Sequence, residues 1–99
     1  MKEDFAHYLF EFTVSKAYNR GYTFTSNSER ALFRFFRDST LRNDIINTNN
    51  EIISEASNSA EILLNSMIHN SQNKNFVLDY NIQEIRSLLK DICPLWPFC

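Results

Sequence analysis

An arginine row is the first group of side chains that could do chemistry, and it lies in the segment SERALFRFFRD, residues 28–38. At 100° per residue, Arg30, Arg34 and Arg37 fall within roughly 60° of one another on one face of a helix. Phe33 lies at the boundary of that face. Because guanidinium groups match the geometry of phosphates and carboxylates, a row of them beside an aromatic ring is suited to bind either.

The arginine row can also exist without any ligand, in two ways. In the first, the row is a solvated helix face on which Arg30 and Arg34 pair with neighbouring Glu29 and Asp38. In the second, the row pairs inside the molecule with carboxylates on one edge of the next helix. Those carboxylates are Asp44, Glu51 and Glu55.

The next stretch, residues 43–73, has four acidic residues and no Lys or Arg, whereas residues 30–42 have four arginines and one aspartate. A helix without Lys or Arg is a poor recognition helix for a phosphate-lined groove, although the junction before it resembles a helix-turn-helix. Carboxylates of one sign repel each other, and a basic partner relieves that repulsion. The pattern therefore predicts an acidic surface that binds a basic protein.

A second candidate for chemistry is the column of Glu3, His7 and Glu11, spaced four residues apart on helix 1. A histidine between carboxylates can hold a divalent metal or act as a general base. The other histidine, His69, is far along the chain. A column on one helix lacks further ligands, so we interpret it as a surface with favourable i,i+4 pairs. We predict no metal site and no cofactor.

The two cysteines, Cys93 and Cys99, are separated by five residues, which is not a zinc-binding spacing. A disulfide between them could close a short loop in an oxidising compartment. The N-terminus has no secretory signal, so we expect free thiols and a cytoplasmic protein. No nucleophile comes with a base, and one glycine cannot build a phosphate loop. We predict that the chain is not an enzyme.

Composition determines which elements position these groups. The chain has 99 residues, 43% of them hydrophobic, with one glycine and two prolines. An all-β fold would need more turn residues. No apolar run approaches the ~20 residues that span a membrane. We predict a single all-α domain over residues 1–99, a compact array of four to five helices with a docked irregular C-terminal tail.

Helix 1 is predicted over residues 2–20, with the cation Arg20 and then Gly21 as its stop signal. The segment YTFTSN is predicted to be an extended linker. Ser26 and Glu29 spell a capping box that begins helix 2, which runs to about Asp38. Its core side chains are predicted to be Leu32, Phe35 and Phe36. Ser39 or Thr40 is expected to cap the following element.

Residues 41–69 repeat apolar residues at helical steps, which predicts one long helix, kinked or weakened near Asn49. A break into two helices at that point stays open. Asn81, three residues before Glu84, predicts the start of a last helix, and Pro94 its end. In the tail CPLWPFC, the apolar Leu95, Trp96 and Phe98 are expected to pack on the protein or on a partner.

These features favour a small non-enzymatic protein that binds another protein. Its size, acidity and lack of catalytic groups resemble those of bacterial toxin-immunity proteins, although no residue motif carries the resemblance. It implies an inhibitor that covers the basic surface of a toxin such as a nuclease. The alternative is a DNA-associated regulatory protein that uses the arginine row and Arg42. The residues predicted to bind the partner are Asp44, Glu51, Glu55, Phe33 and Trp96.

Overall fold

Four helices and two short strands form the part of the chain that the computed structural model describes, residues 2–41, 50–71 and 75–96. The helices are α1 (Lys2–Asn19), α2 (Ser26–Leu41), α3 (Asn50–Asn70) and α4 (Ile82–Ile92). The strands β1 (Thr23–Phe24) and β2 (Val77–Leu78) pair in parallel. The all-α prediction is confirmed, with this strand pair as a small addition.

The helices pack in a ring, in which α1 and α4 each contact both α2 and α3. The Cα radius of gyration is 12.6 Å, close to the roughly 13 Å of a compact domain of this length. The core lies inside the ring, where burial of each large apolar side chain stabilises the fold by about 1.5–3 kcal/mol. Its largest fully buried apolar side chains are Leu9, Leu32, Phe36, Leu63, Leu64, Met67, Leu78 and Ile85. Among the described residues, none of the helices combines the length and the apolar character of a membrane span.

The end of α1 follows the prediction from Gly21. This glycine has φ +86°, a conformation that costs a side-chain-bearing residue free energy. The N–H of Tyr22 donates to Ala17 O at 2.9 Å, and the N–H of Gly21 donates to Tyr18 O at 2.9 Å. This pair of bonds is a Schellman motif, which satisfies carbonyls that the helix end would leave open.

The start of α4 also follows the sequence. The Asn81 side chain accepts from the Glu84 N–H at 2.9 Å, and the Glu84 carboxylate accepts from the Asn81 N–H at 3.0 Å. Asn81 is therefore the cap, as predicted, and the Glu84 side chain completes a capping box. The helix ends at Ile92, two residues before Pro94, because proline cannot continue the backbone hydrogen bonds.

The cap of α2 differs from the prediction. Ser26 is the first helical residue, and the Thr25 hydroxyl, not the Ser26 hydroxyl, accepts from the Ser28 N–H at 3.1 Å. The same Thr25 hydroxyl donates to Asp79 Oδ1 at 2.9 Å. The Ser26–Glu29 capping box is therefore wrong by one residue. Thr25 and Asp79 are 54 residues apart in the sequence, so the residue that caps α2 also makes a tertiary contact.

Replacing Thr25 with alanine is expected to lower the free energy of unfolding by about 1 kcal/mol, the usual cost of losing an N-cap. The exposed Ser26 is the matched control, and its replacement with alanine should change stability by less than about 0.5 kcal/mol. Urea unfolding followed by circular dichroism measures both. Equal losses of unfolding free energy in the two variants would contradict Thr25 as the cap and favour Ser26.

Two further boundaries differ from the prediction. Helix α2 continues to Leu41, so Ser39 and Thr40 are helical residues and not caps. Leu41 ends α2 and does not begin the long helix, and α3 begins at Asn50, beside the predicted weak point. Residues 42–49 lie outside the described residues, so the choice between one helix and two stays a prediction.

The segment predicted as a linker is tied to the chain before α4. Thr23 N–H donates to Phe76 O and Thr25 N–H to Leu78 O, each at 3.1 Å. The Tyr80 hydroxyl donates to Met67 O at 2.6 Å. Burial, and then the Glu84 carboxylate, raise the pKa of Tyr80, which keeps its hydroxyl protonated as a donor.

Candidate functional site

The acidic edge of α3 is the first candidate surface. Glu61 is neutralised by Arg20 at the end of α1, at 2.8 Å, and Arg20 also donates to Asn65. Glu55 is exposed, and within the described ranges no ion pair reaches it. Asp44 and the side chain of Glu51 lie outside the described residues. One of the three predicted acidic contacts is therefore placed, and it faces solvent.

The arginine row converges on a single carboxylate. Asp38 lies 3.7 Å from Arg34 and 3.5 Å from Arg37, both on its own helix. Arg86 of α4 approaches the same carboxylate at 3.5 Å. The predicted pairing of Arg34 with Asp38 is confirmed. Arg86, which lies 48 residues from Asp38, was not foreseen because no local pattern connects the two.

Arg30 does not pair with Glu29, in contrast to the prediction for a solvated helix face. Its guanidinium donates to the side-chain oxygen of Asn27, one turn earlier on α2. The amide oxygen of Asn27 carries no net charge, so this bond does not neutralise the positive charge of Arg30 at the surface. Pairing of the row with Asp44 or Glu51 falls outside the described residues and stays a prediction.

Three guanidinium groups share the Asp38 carboxylate, and those of Arg34 and Arg86 already outnumber it. The N–O distances exceed the roughly 2.7–2.9 Å of a strong charge-assisted hydrogen bond. Each pair is partly exposed, and such pairs contribute about 0–1 kcal/mol. The arrangement adds little to stability and leaves a net positive surface where α2 meets α4.

Phe33 lies at the surface between α1 and α2, as the helical spacing predicts. Its ring centroid is 5.1 Å from that of His7 and 5.7 Å from that of Phe10, edge-on to the latter. A shallow cavity of about 370 Å³ adjoins these rings and is also lined by Ser26 and Arg30. This aromatic surface is suited to hold an apolar side chain of a partner.

His7 therefore packs against aromatic rings, which places its imidazole beside apolar surface. The side chain of Glu3 lies outside the description. Among residues 2–41, 50–71 and 75–96, no group of three or more His, Cys, Asp or Glu side chains could hold a metal ion. Nothing in this geometry adds the further ligands that the His7 column lacks.

Trp96 packs on the protein, as expected for the tail. Its ring centroid lies 6.2 Å from the ring centroid of Phe35 and 6.3 Å from that of Phe36. The backbone N–H of Trp96 donates to Cys93 O at 3.1 Å. Leu95 is 73% exposed, so the docking is carried by the indole. Phe98 lies outside the described residues.

Cys93 corrects the expectation of free thiols. It is buried and disulfide-bonded, and the described residues include no free cysteine. The sequence has one other cysteine, Cys99, beyond the described part of the chain. A covalent link here restricts the tail next to Trp96 and so helps to fix the indole against α2.

The predicted contact residues that the structure describes lie on different segments of the chain. Phe33 contacts rings of α1, Trp96 contacts the buried rings of α2, and Glu55 projects from α3. The surfaces also differ in chemistry. Glu55 offers negative charge, Phe33 offers an aromatic face, and Trp96 lies beside cations of α4.

Comparison of the chain with protein-family models, with curated proteins and with solved structures found no significant match. Function is therefore argued from the geometry of these surfaces alone.

Proposed function

We propose that this chain is a non-enzymatic protein-binding protein of the immunity or antitoxin kind. Its partner is a basic protein, such as a toxin with nuclease activity, and the acidic edge of α3 covers the partner's cationic surface. The observation that carries the proposal is Glu55, an exposed carboxylate without a described ion pair, in a stretch that has four acids and no Lys or Arg.

The arrangement of the cations supports this proposal. Arg34 and Arg37 are held by Asp38 on their own helix, so they do not neutralise Glu55. Arg20 neutralises only Glu61. An acidic edge left open in this way attracts a basic partner over a distance of about one Debye length, roughly 8–10 Å in physiological salt. Attraction of this kind raises the association rate and selects basic partners.

The aromatic surface of Phe33, His7 and Phe10 supplies the second part of a protein interface. Charged rims guide association, whereas buried aromatic anchors contribute most of the binding free energy. Phe33 is partly buried against its neighbours, so little conformational entropy is lost when a partner covers it. Within this proposal Glu55 guides the partner, and the Phe33 surface holds part of it.

Replacing Glu51 and Glu55 with lysine is expected to reduce capture of the partner at least tenfold, because two attractive charges become repulsive. The tagged chain is incubated with an extract of the cells that produce it, and bound proteins are identified by mass spectrometry. The proposal expects a basic protein among them whose activity falls in proportion to the amount of chain added. Circular dichroism checks that the variant keeps its helices.

The control replaces Arg30 and Arg34 with glutamine, which removes two charges from α2 without reversing them. Because these arginines are exposed, the control should weaken capture by no more than about fivefold, or about 1 kcal/mol. Loss of capture in the arginine variant alone would contradict the proposal. An acidic protein as the captured partner would contradict it too.

A DNA-associated regulatory protein is the second candidate, and the surplus of guanidinium groups around Asp38 is the observation that favours it. Binding to phosphates weakens steeply with salt, in proportion to the number of contacts. The test measures binding of duplex DNA to the chain at several salt concentrations. Binding that weakens steeply with salt, and that is lost when Arg30 and Arg34 are replaced with glutamine, would favour this candidate over the first.

The proposal places the protein in the cytoplasm, and Cys93 bears on that part. Disulfides persist mainly in oxidising compartments and are rare in the cytosol. Thiol labelling of cells that are quenched with acid and then denatured distinguishes the two locations. The buried Cys93 would then label in a cytoplasmic protein, and its disulfide would protect it in a protein from an oxidising compartment.

A further inference from the structure

A cleft where α2, α4 and the tail meet combines cations with aromatic walls. Its volume is about 240 Å³, below the roughly 300–1,000 Å³ of sites for drug-sized ligands. It has room for a small organic acid or for one amino-acid side chain. The lining residues that matter here are Phe35, Ser39, Arg86, Lys90 and Trp96.

The positive charge of the cleft comes from α4. Arg86 and Lys90 are spaced i,i+4, so they lie one turn apart on the same side of the helix. Asp38 approaches Arg86 at 3.5 Å, but it is shared with Arg34 and cannot neutralise both. A guanidinium has five N–H donors, so Arg86 can hold Asp38 and still donate to a ligand.

Within residues 2–41, 50–71 and 75–96, two groups near the cleft oppose an anion. The Asp38 carboxylate lies beside Arg86, and the C-terminal end of α4 carries partial negative charge. The guanidinium groups of Arg86 and Arg34 and the Lys90 ammonium outweigh them. The cleft therefore keeps a positive field, and its aromatic walls lower the local dielectric in which that field acts.

The Trp96 indole adds an unmet donor. Its Nε1 atom is buried and has no hydrogen-bond partner in the described part of the chain. A buried indole N–H usually has a partner, and lacking one costs about as much as losing a hydrogen bond. An acceptor that entered the cleft and shifted the ring slightly would satisfy this donor.

We propose that the cleft is a binding site for a carboxylate on an apolar stem, with Arg86 and Lys90 binding the carboxylate and the rings of Phe35 and Trp96 holding the stem. The ligand is either a small organic acid or an acidic side chain of a partner. This site is of opposite charge to the α3 edge, and it does not depend on the protein-binding function proposed above.

Trp96 is the single tryptophan of the chain, so its fluorescence reports on this cleft directly. Titration with cyclohexanecarboxylate at constant ionic strength should shift the emission in a saturable way. Cyclohexylmethanol has the same stem without the charge, acetate has the charge without the stem, and inorganic phosphate is a different anion. Each should bind at least tenfold more weakly than cyclohexanecarboxylate.

Arg86→Gln should raise the Kd for cyclohexanecarboxylate at least tenfold, because a charge-assisted hydrogen bond is lost. Arg86→Lys keeps the charge but not the fork of donors, so it should restore part of the affinity. Lys16→Gln is the matched control, since Lys16 lies over the Phe12 ring on α1. It should leave the titration unchanged, and circular dichroism should be alike for all variants.

A last probe distinguishes a free organic acid from an acidic side chain of a partner. This probe is glutamate with an N-acetyl group and a C-terminal amide, which leaves only the side-chain carboxylate charged. Tighter binding of the blocked glutamate than of cyclohexanecarboxylate identifies an acidic side chain of a partner, and the reverse order identifies a free organic acid. An equal response to phosphate or to the alcohol, no response to either carboxylate, or an Arg86→Gln titration like that of the native chain would each overturn the proposal.

Discussion

Replacing Phe36 with alanine is expected to lower the free energy of unfolding by about 3–5 kcal/mol. The Phe36 side chain is fully buried in the core. Its ring centroid lies 5.6 Å from that of Phe35 and 6.3 Å from that of Trp96. Alanine would lose this burial and leave a cavity that close packing cannot fill. Urea unfolding followed by circular dichroism measures the loss.

Phe33 supplies the matched control, because it is the same residue type on the same helix, three residues earlier. It is only partly buried, so Phe33→Ala should cost about 1 kcal/mol. The stability of a domain is about 5–15 kcal/mol, and Phe36→Ala could exhaust it. Phe36→Leu, which removes fewer atoms, then gives the measurable transition. Equal losses at positions 33 and 36 would contradict the assigned face of α2.

Replacing Ser28 with alanine is the second large effect, a loss of about 1–3 kcal/mol. Ser28 is fully buried, and its hydroxyl oxygen accepts from the Tyr80 N–H at 3.2 Å. Alanine would leave that buried N–H without its partner. The bond joins α2 to the segment that precedes α4, so its loss should loosen both.

Hydrogen exchange gives this prediction a local readout. The Tyr80 amide should exchange faster in Ser28→Ala relative to amides in the middle of α3, because the bond that protects it is removed. Ser26→Ala is the control, since Ser26 is exposed in the same helical turn. Unchanged protection of Tyr80 in Ser28→Ala would show that its N–H is held by another group.

The described part of the chain presents a surplus of cations and an open carboxylate on different elements. Cations gather where α2 meets α4, around Asp38, while Glu55 is left open on α3. A molecule with this arrangement can attract a basic protein on one surface and an acidic group on another. Double-mutant cycles between Glu55 and Arg86 test whether the two surfaces act independently.

Features that depend on neighbours within about one helical turn could be predicted from the order of the residues. The Schellman motif at Gly21, the capping box of Asn81 with Glu84, and the buried face of α2 all follow from local spacing. Helical periodicity places side chains on a face whatever the rest of the chain does. The cap of α2 shows the limit, since the local sequence favours Ser26 with Glu29, whereas the Thr25 hydroxyl caps the helix in the folded chain.

Contacts between distant segments emerged only when the chain was folded. The fold pairs β1 with β2, binds Thr25 to Asp79, and brings Arg86 to Asp38. It also seats Trp96 on the rings of α2, which creates the cleft. Local patterns cannot specify these partners, because packing of the whole ring of helices, and not spacing along one helix, sets which side chains meet.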